Sequence, residues 1–366
     1  MPSAPDEPRN VPPGIGSIPK LADWLSANVT ADDTASDTAS DTGDVSGGPV
    51  TVAEIRLIAG GRSNLTYYLR TQQRELVLRR PPLGHVLPTA HDMSREFRVI
   101  SALYGTDVPV AEPVAYCADE EVIGAPFYLM GYVSGDVLRT RDQAEQALTP
   151  DQAGHLSGEL ATMMARIHMV DVGQVGLGDL GRGKGFMRRQ LDRWQKQWAL
   201  SQTRQVPGYQ ELVARLADDL PDGASESVTL VHGDYRLDNA LVRTGQRPRI
   251  AAVVDWEMAT LGDPLADLGL TLVYWTEPGE AGYGADATTA PGFWTRQRFL
   301  DAYAAQTGRD VSAVGYYMAF AYFKLAVVLE GINARFLKNQ TVGENFDREG
   351  QAVPRLIARA HELLDD

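Results

Sequence analysis

The chain has almost no cysteine and lacks a recognisable export signal. Cys117 is the single cysteine among 366 residues, so neither an intramolecular disulfide nor a cysteine-based zinc or iron–sulfur site can form. The six histidines are scattered, and no two stand at the spacing of zinc ligands. The N-terminus does not combine a basic segment with an apolar one, as a signal peptide would. These shortages exclude a disulfide scaffold and a zinc finger, and they predict a cytoplasmic protein.

A long apolar run and an excess of positive charge are also missing. The most apolar stretch, residues 314–332, is interrupted by Lys324 and Glu330, which predicts a buried helix and no membrane span. With 34 basic and 48 acidic residues the formal net charge is −14, which argues against a nucleic-acid partner. The hydrophobic fraction of 44% is ordinary for a globular protein, and the length suggests about two domains.

Composition divides the chain into three parts. Residues 1–49 are predicted to be an N-terminal arm and flexible linker, because proline is frequent at the start and Asp, Thr, Ser and Gly dominate residues 30–48. Within this part, residues 21–25 fit a short amphipathic helix. Residues 50–133 then carry strand patterns, and residues 134–366 carry mainly helical ones.

Local patterns place the elements. A strand, a glycine turn and two more strands follow the order of an antiparallel sheet, and a helix and a buried strand come after them. These five elements are predicted at residues 55–58, 65–70, 75–80, 93–104 and 126–133. The remainder has apolar residues at helical spacing, interrupted by three short strands. Those elements are predicted at residues 153–170, 186–200, 228–231, 240–242 and 250–254. The fold class is therefore α+β.

Two segments place acidic or amide side chains at the end of an apolar strand, residues 230–242 and 252–269. Phosphoryl transfer needs one carboxylate to accept the proton of the attacking hydroxyl, and further carboxylate and amide oxygens to hold magnesium. Asp234 and Asn239, five residues apart, match the spacing of base and metal ligand in a kinase catalytic loop. Asp255 matches the main metal ligand.

The pattern His-Gly-Asp-x-x-x-x-Asn, followed about twenty residues later by Asp-Trp-Glu, resembles the aminoglycoside phosphotransferase and choline-kinase-like branch of the protein-kinase fold. The resemblance covers residues 50–365. Four further segments are similar to the subgroup that includes kinase-like domains fused to some acyl-CoA dehydrogenases. They are Gly61-Arg-Ser-Asn64, Leu78-Arg-Arg-Pro-Pro82, Arg189-Gln-Leu-Asp-Arg-Trp194 and Phe323-Lys-Leu-Ala-Val-Val-Leu-Glu-Gly-Ile332. The resemblance implies a two-lobed fold, with an N-lobe sheet over residues 50–133 and a helical C-lobe over residues 134–366.

The resemblance also implies roles for single residues. Asp234 would be the catalytic base, and Asn239 and Asp255 would bind Mg²⁺. His232 would brace the catalytic loop, and Arg236 belongs to the same catalytic set. ATP and Mg²⁺ are therefore the expected cofactors. The nucleotide would be bound by the hinge, through Met130, Tyr132 and Val133, and by a phosphate-covering glycine turn with Gly61 and Ser63.

The third strand departs from the usual kinase pattern. Kinases place a lysine there, but residues 21–183 contain none. Alternation puts Arg79 and Arg80 on opposite faces of the strand. We expect Arg79 to face the phosphates and to pair with Glu96, with Arg80 as the alternative. Arginine is always charged and can bridge two phosphate oxygens, so ATP binding is retained in this hypothesis.

The acceptor is predicted to be the hydroxyl of a small molecule. Gly262-Asp263-Pro264 reads as a helix start soon after Asp255, which leaves no room for a peptide-docking loop. The acidic net charge suits an aminoglycoside, whereas an Arg-rich helix and the closer subgroup favour a hydroxyacyl-CoA or another hydroxy acid.

A catalytically weak or inactive pseudokinase is the rival hypothesis, because of the missing lysine. A hydrolase is less favoured, since no nucleophilic Ser or Cys sits in a strand–turn–helix elbow. The oligomeric state stays open.

Some side chains admit two interpretations. Lys324 and Glu330 lie within an apolar helix, so they either pair locally or face the acceptor pocket. The cations of residues 188–196 form either a solvated face or a patch for an anionic substrate. Asp267 is expected to be a structural brace in the first turn of a helix.

Overall fold

The computed structural model describes residues 11–29, 49–58, 64–83, 92–224, 227–280, 282, 285–338 and 346–365. The chain divides into two compact units, residues 1–134 and residues 135–366. The predicted linker at residues 30–48 and the two glycine-turn residues, Gly61 and Ser63, lie outside the described residues.

The first unit is built on a five-stranded sheet in which every pair of neighbouring strands is antiparallel. Its strands are β1 (Val52–Leu57), β2 (Leu65–Thr71), β3 (Glu75–Arg80), β4 (Pro113–Cys117) and β5 (Phe127–Gly131), in the spatial order β1-β2-β3-β5-β4. Its helices are α1 (Ile18–Asn28), α2 (Met93–Leu103) and α3 (Glu120–Ile123). The antiparallel sheet expected from the sequence is therefore present, with β4 as an additional strand at its edge.

The segment of residues 11–29 is part of this unit's core. Ser17 caps the N-terminus of α1 with its side chain, and a proline occupies the first turn, which is the position that tolerates one. Leu21 and Leu25 recur at helical spacing and are completely buried together with sheet residues. The Tyr67 hydroxyl donates a hydrogen bond to the carbonyl of Pro13. This part of the predicted arm is therefore packed on the sheet.

The second unit is mainly helical. Its helices are α4 (Arg141–Ala147), α5 (Pro150–Met169), α6 (Phe186–Ser201), α7 (Tyr209–Asp218), α8 (Pro264–Tyr274), α9 (Arg296–Thr307), α10 (Val314–Leu337) and α11 (Phe346–Asp365). Its short strands are β6 (Thr229–Val231), β7 (Ala240–Arg243), β8 (Arg249–Val253) and β9 (Thr260–Gly262), and they pair as β6–β9 and β7–β8. Helix α10 packs against α6, α8 and α11. The buried helix expected around Lys324 is thus confirmed, and none of the helices in the described residues combines the length and apolarity needed to cross a membrane.

Predicted and observed bounds agree best where the pattern is strong. Strand β3 covers the predicted residues 75–80, and α6 extends the predicted helix by one residue. Strands β4 and β9 were not predicted from the sequence.

Candidate active site

The loop between β6 and β7, residues 232–239, carries most of the predicted catalytic residues. Gly233 adopts a φ of +85°, and a Cβ at this position would lie 2.8 Å from the Cβ of Met258. A side chain would therefore strain the backbone and collide with its neighbour. Glycine is therefore needed at position 233, directly before Asp234.

The carboxylate of Asp267, in the first turn of α8, holds the start of this loop. Its Oδ2 accepts a hydrogen bond from the backbone N–H of His232 at 2.7 Å, and its Oδ1 accepts one from Gly233 at 2.8 Å. His168 of α5 lies with its Nε2 3.2 Å from Oδ2, and the Nδ1 of His168 is 2.7 Å from the hydroxyl of Tyr303 in α9. Asp267 is therefore a structural brace, as expected.

These hydrogen bonds affect the ionisation of the brace. Burial acts to raise the pKa of Asp267, but the hydrogen bonds from His168 and from the backbone N–H of His232 outweigh it. The pKa of Asp267 is therefore lowered from its ordinary value. The carboxylate stays ionised in the interior and can accept hydrogen bonds from three groups at once.

The ring of His232 links the catalytic loop to the end of β8. Its Nδ1 lies 3.3 Å from the backbone nitrogen of Asp234, and its Nε2 lies 3.0 Å from the carbonyl oxygen of Val254. Because a backbone N–H can only donate and a carbonyl can only accept, Nδ1 must be the acceptor and Nε2 must carry the hydrogen. This fixes a neutral tautomer of His232, which is suited to bracing and not to proton transfer.

Asp234 and Asn239 are in direct contact. The side-chain amide of Asn239 donates to the carbonyl of Asp234 at 2.8 Å and to its carboxylate Oδ2 at 3.1 Å. Burial raises the pKa of Asp234, while the charges of Arg236 and Lys324 oppose the shift. A carboxylate with a raised pKa in a polar turn is matched to accepting a proton from a hydroxyl.

Asp255 follows β8 in a left-handed backbone conformation. Its φ is +67°, and among the described residues it is the one non-glycine residue with a positive φ. Such strain is concentrated at functional sites in proteins. The neighbouring Val254 donates its N–H to the carbonyl of Asn239 at 2.9 Å, which ties the two predicted metal ligands to adjacent strands.

The donor set of this region fits magnesium. Both hydrogen bonds of the Asn239 side chain use its nitrogen, so its oxygen accepts none within the part of the chain that the structure describes. A carboxylate from Asp255 and this amide oxygen are oxygen ligands of the kind that Mg²⁺ takes together with phosphate oxygens and water. Among the described residues there is no group of three or more His, Cys, Asp or Glu side chains that could hold a metal.

Arg236 faces a small pocket in the second unit. It forms two hydrogen bonds with the carboxylate of Asp238, and its guanidinium lies 4.4 Å from the centroid of the Tyr274 ring. Burial raises the pKa of Tyr274 to about 12, so the ring stays neutral beneath the cation. The pocket is otherwise largely apolar, with Leu138 and Trp275 among its lining residues.

In the first unit, the two arginines of β3 have different partners. Arg79 Nη1 lies 3.3 Å from Glu96 Oε1 of α2, and both side chains are buried. Arg80 donates to the backbone carbonyls of Gly14 and of Ile123, the latter at 3.2 Å. The strand alternation therefore places them on opposite faces, and Arg79 is the one that pairs with Glu96.

The predicted hinge residues lie at the end of β5. Met130 is buried in the sheet opposite Val77 of β3. Tyr132 is exposed, and its ring packs edge-on against Tyr68 at 5.3 Å. Val133 follows in a half-buried position. Their backbone remains the proposed contact for adenine.

The structure assigns separate roles to the two charges of α10. Lys324 Nζ donates to the carbonyl of Gly233 at 3.2 Å, so it lies at the catalytic loop. Glu330 accepts hydrogen bonds from the backbone and hydroxyl of Thr203 and from Arg204. Glu330 thus pairs locally, whereas Lys324 belongs to the candidate site.

Sequence reasoning missed two members of the support network, His168 and Tyr303. A histidine in one predicted helix and a tyrosine more than a hundred residues further along the chain carry no local signal for a shared hydrogen bond. Their involvement depends on the packing of α5 and α9, which lie far apart in the chain.

The comparisons with known proteins agree with this geometry. Residues 54–303 match the model of the APH, or phosphotransferase enzyme, family. The chain therefore belongs to this family, and its α+β fold is the protein-kinase-like fold of small-molecule phosphotransferases.

Two of the similar proteins are at least 30% identical to this chain. The chain is 34% identical over 308 residues to acyl-CoA dehydrogenase family member 10 of Mus musculus. The matched region covers 83% of this chain and 28% of that protein. The chain thus spans less than a third of the length of this relative. A crystal structure from Ralstonia eutropha, named as an aminoglycoside phosphotransferase, has a TM-score of 0.78 at 31% identity and covers 95% of this chain and 98% of its own.

A more distant structure carries ligands. An aminoglycoside phosphotransferase in a ternary complex with ADP and hygromycin B has a TM-score of 0.56 at 15% identity, with 86% of this chain and 94% of that chain covered. At this identity the likeness shows the fold alone.

Proposed function

We propose that the protein is an ATP- and Mg²⁺-dependent phosphotransferase that moves the γ-phosphoryl group to a hydroxyl of a small molecule. The observation that carries the proposal is the contact between Asp234 and Asn239 in a loop that Asp267 holds from below. It supports Asp234 as the base that orients the acceptor hydroxyl and takes its proton. The family membership and the catalytic-loop motif support the same reaction class.

Asn239 and Asp255 would hold Mg²⁺, which neutralises charge on the phosphates when it is bound. In the N-lobe, residues 50–133, Arg79 would face the phosphates while Glu96 fixes its guanidinium. The backbone of Met130, Tyr132 and Val133 and the turn with Gly61 and Ser63 remain the proposed nucleotide contacts. The ADP in the distant structure supports ATP as the donor. A cytoplasmic location, where ATP is available, fits the lack of cysteine pairs.

Other residues of the C-lobe, residues 134–366, would hold Asp234 and Arg236 in position. Asn239 orients the carboxylate of Asp234, and the neutral ring of His232 fixes the backbone of Asp234. Arg236 is held by Asp238 and Tyr274, so its cation is kept close to the base. Because these groups are fixed before a substrate arrives, little reorganisation is needed in the transition state.

The acceptor belongs to one of two classes in this proposal. The hygromycin B complex of the distant structure supports an aminoglycoside-like polyol. The cations of Lys324 and Arg236 beside Asp234, together with the acyl-CoA dehydrogenase relatives, favour a hydroxyacyl-CoA or another hydroxy acid. We favour the second class because a polycation would be repelled by both side chains at the reacting centre.

Thermal unfolding with Mg·ATP tests nucleotide binding. At nucleotide concentrations about 100 times the Kd, linkage raises the free energy of unfolding by about 2.7 kcal/mol, which for a chain of 366 residues corresponds to a Tm increase of about 3–4 °C. We expect Asp255→Ala to abolish this increase because it removes the main metal ligand. The same measurement with Mg·GTP and with Mg²⁺ alone shows whether the Tm increase is specific to Mg·ATP.

The matched control is Asp222→Ala, at an exposed position in the second unit. This variant should show the same increase as the native chain. An unchanged Tm of the native chain at millimolar Mg·ATP would contradict nucleotide binding altogether. A normal Tm increase without phosphorylation of any acceptor would favour the pseudokinase hypothesis.

The cation of the third strand can be identified with two variants. Arg79→Met should raise the Kd for Mg·ATP about 10- to 100-fold, because a hydrogen bond to a charged phosphate contributes about 1.5–3 kcal/mol. Arg80→Met should leave this Kd within about threefold, since Arg80 is bonded to backbone carbonyls of its own unit. Titration calorimetry with Mg·ATP gives both values. A larger effect of Arg80→Met would reverse the assignment.

A further inference from the structure

The peptide group that leads into Asp234 is held at both of its polar atoms. Its carbonyl, from Gly233, accepts a hydrogen bond from Lys324 Nζ at 3.2 Å. Its N–H, from Asp234, points to His232 Nδ1 at 3.3 Å. The plane of one peptide group determines the direction in which the next side chain leaves the backbone. Two side chains therefore hold this peptide, from which the Asp234 side chain leaves the backbone, and of the two only His232 was expected to brace the loop.

Lys324 contacts this peptide group from a helix that is distant in the sequence. It lies on α10, and its ammonium is 5.6 Å from the ring centroid of Trp194 on α6. This distance is that of a cation–π contact, and the side chain of Lys324 is half-buried. The ammonium therefore contacts a residue of α6 as well as the loop.

The energetics do not favour a merely structural role. Lys324 is placed in a helix whose other residues at this depth are apolar, and burial lowers its pKa. An ammonium in such a position is costly unless a partner compensates for it. No carboxylate in the described part of the chain is in ion-pair contact with Lys324, and its direct hydrogen bond goes to the neutral carbonyl of Gly233. The charges that favour its ammonium form are Asp234 and Asp267, both of which belong to the catalytic loop and its brace.

We propose that Lys324 is a positioning residue for phosphoryl transfer, which fixes the Gly233–Asp234 peptide and thereby aims the Asp234 carboxylate at the acceptor hydroxyl. The proposal rests on the proposed function, in which Asp234 is the base. Its effect should appear in the chemical step and not in nucleotide binding, because Lys324 contacts the loop of the base and neither of the proposed metal ligands.

Three variants test the proposal. Lys324→Met keeps an unbranched apolar side chain and removes the ammonium. Lys324→Arg keeps a cationic donor. Lys338→Met makes the same chemical change at an exposed position at the end of the same helix. The rate of Mg·ATP hydrolysis, with water as acceptor and ADP, phosphate and a proton as products, is measured for each, together with the Tm with and without Mg·ATP.

We expect Lys324→Met to lower the turnover about 10- to 100-fold, since a displacement of a catalytic group by about 1 Å can cost 10²-fold in rate. Its Tm increase with Mg·ATP should equal that of Lys338→Met. Lys324→Arg should recover at least a third of the native turnover. A merely structural role predicts parallel losses of stability and nucleotide binding, which would overturn the proposal. Turnover of Lys324→Met within twofold of the native rate would also overturn it.

Amide hydrogen exchange of residues 230–240 separates this inference from the proposed function. If the native chain neither hydrolyses ATP nor phosphorylates an acceptor, the proposed function fails, and the exchange rates alone decide the role of Lys324. Exchange in this segment that is at least tenfold faster in Lys324→Met than in Lys338→Met supports positioning of the loop by Lys324. Equal exchange in the two variants contradicts it.

Discussion

Asp234→Asn lowers the rate of phosphoryl transfer about 10³-fold in our expectation, because general-base catalysis contributes about 10²- to 10⁴-fold. An amide of the same shape cannot accept the proton of the hydroxyl. Mg·ATP binding should persist, since Asn239 and Asp255 are unchanged. The effect is measured as ADP release with hydroxyacyl-CoAs, aminoglycosides or water as acceptor, and as the Tm increase with Mg·ATP.

Asp301→Asn provides the matched control, because it makes the same change at an exposed position on α9. Its turnover should equal that of the native chain. If Asp234→Asn retained more than a third of the native turnover, Asp234 would not be the base. The rival hypothesis, a pseudokinase, predicts that neither substitution changes a turnover that is already absent.

Asp267→Ala should lower the free energy of unfolding by about 3–5 kcal/mol, because it leaves the backbone N–H groups of His232 and Gly233 and the ring of His168 without their acceptor. Each buried group that loses its partner costs about 1–3 kcal/mol. Urea unfolding at neutral pH measures the loss. Asp151→Ala, in the exposed first turn of α5, should change stability by less than about 0.5 kcal/mol.

The destabilisation by Asp267→Ala should depend on pH in a defined direction. The pKa of Asp267 is lower in the folded chain than in the unfolded one, so the unfolded state binds more protons as the pH falls. Its contribution is complete above the unfolded value of about 4 and is lost as the pH falls through the folded pKa. The difference between native chain and variant should therefore be largest at neutral pH and shrink below about pH 4. A difference that grows on acidification would contradict this assignment.

The grouping of the candidate site residues was predictable from the sequence because they are close together in the chain. Asp234 and Asn239 lie on one loop, and five residues suffice to show their spacing. The choice between Arg79 and Arg80 needed strand alternation, a local rule that holds in the observed sheet. The roles of these residues in catalysis stay predictions, since they depend on the ligands.

The supports of the centre could not be predicted in the same way. Asp267 was expected as a brace, but its partners His168 and Tyr303 come from two other helices, and their contacts depend on packing over 99 and 135 residues of sequence. The two interpretations of Lys324 stay open in the sequence for the same reason. The apolar composition of α10 predicts that the helix is buried, but it does not show which residues Lys324 contacts. Long-range hydrogen bonds have no periodicity that a single sequence can show.

Helix α1 has a consequence for how the chain can be divided. Residues 11–29 precede a stretch of low-complexity sequence, yet Leu21 and Leu25 are as deeply buried as the sheet residues they contact. Covalent connection gives this segment a high local concentration beside the sheet. The segment therefore behaves as a peptide ligand of its own sheet, and a chain cut between residues 30 and 48 could be reassembled from its two fragments.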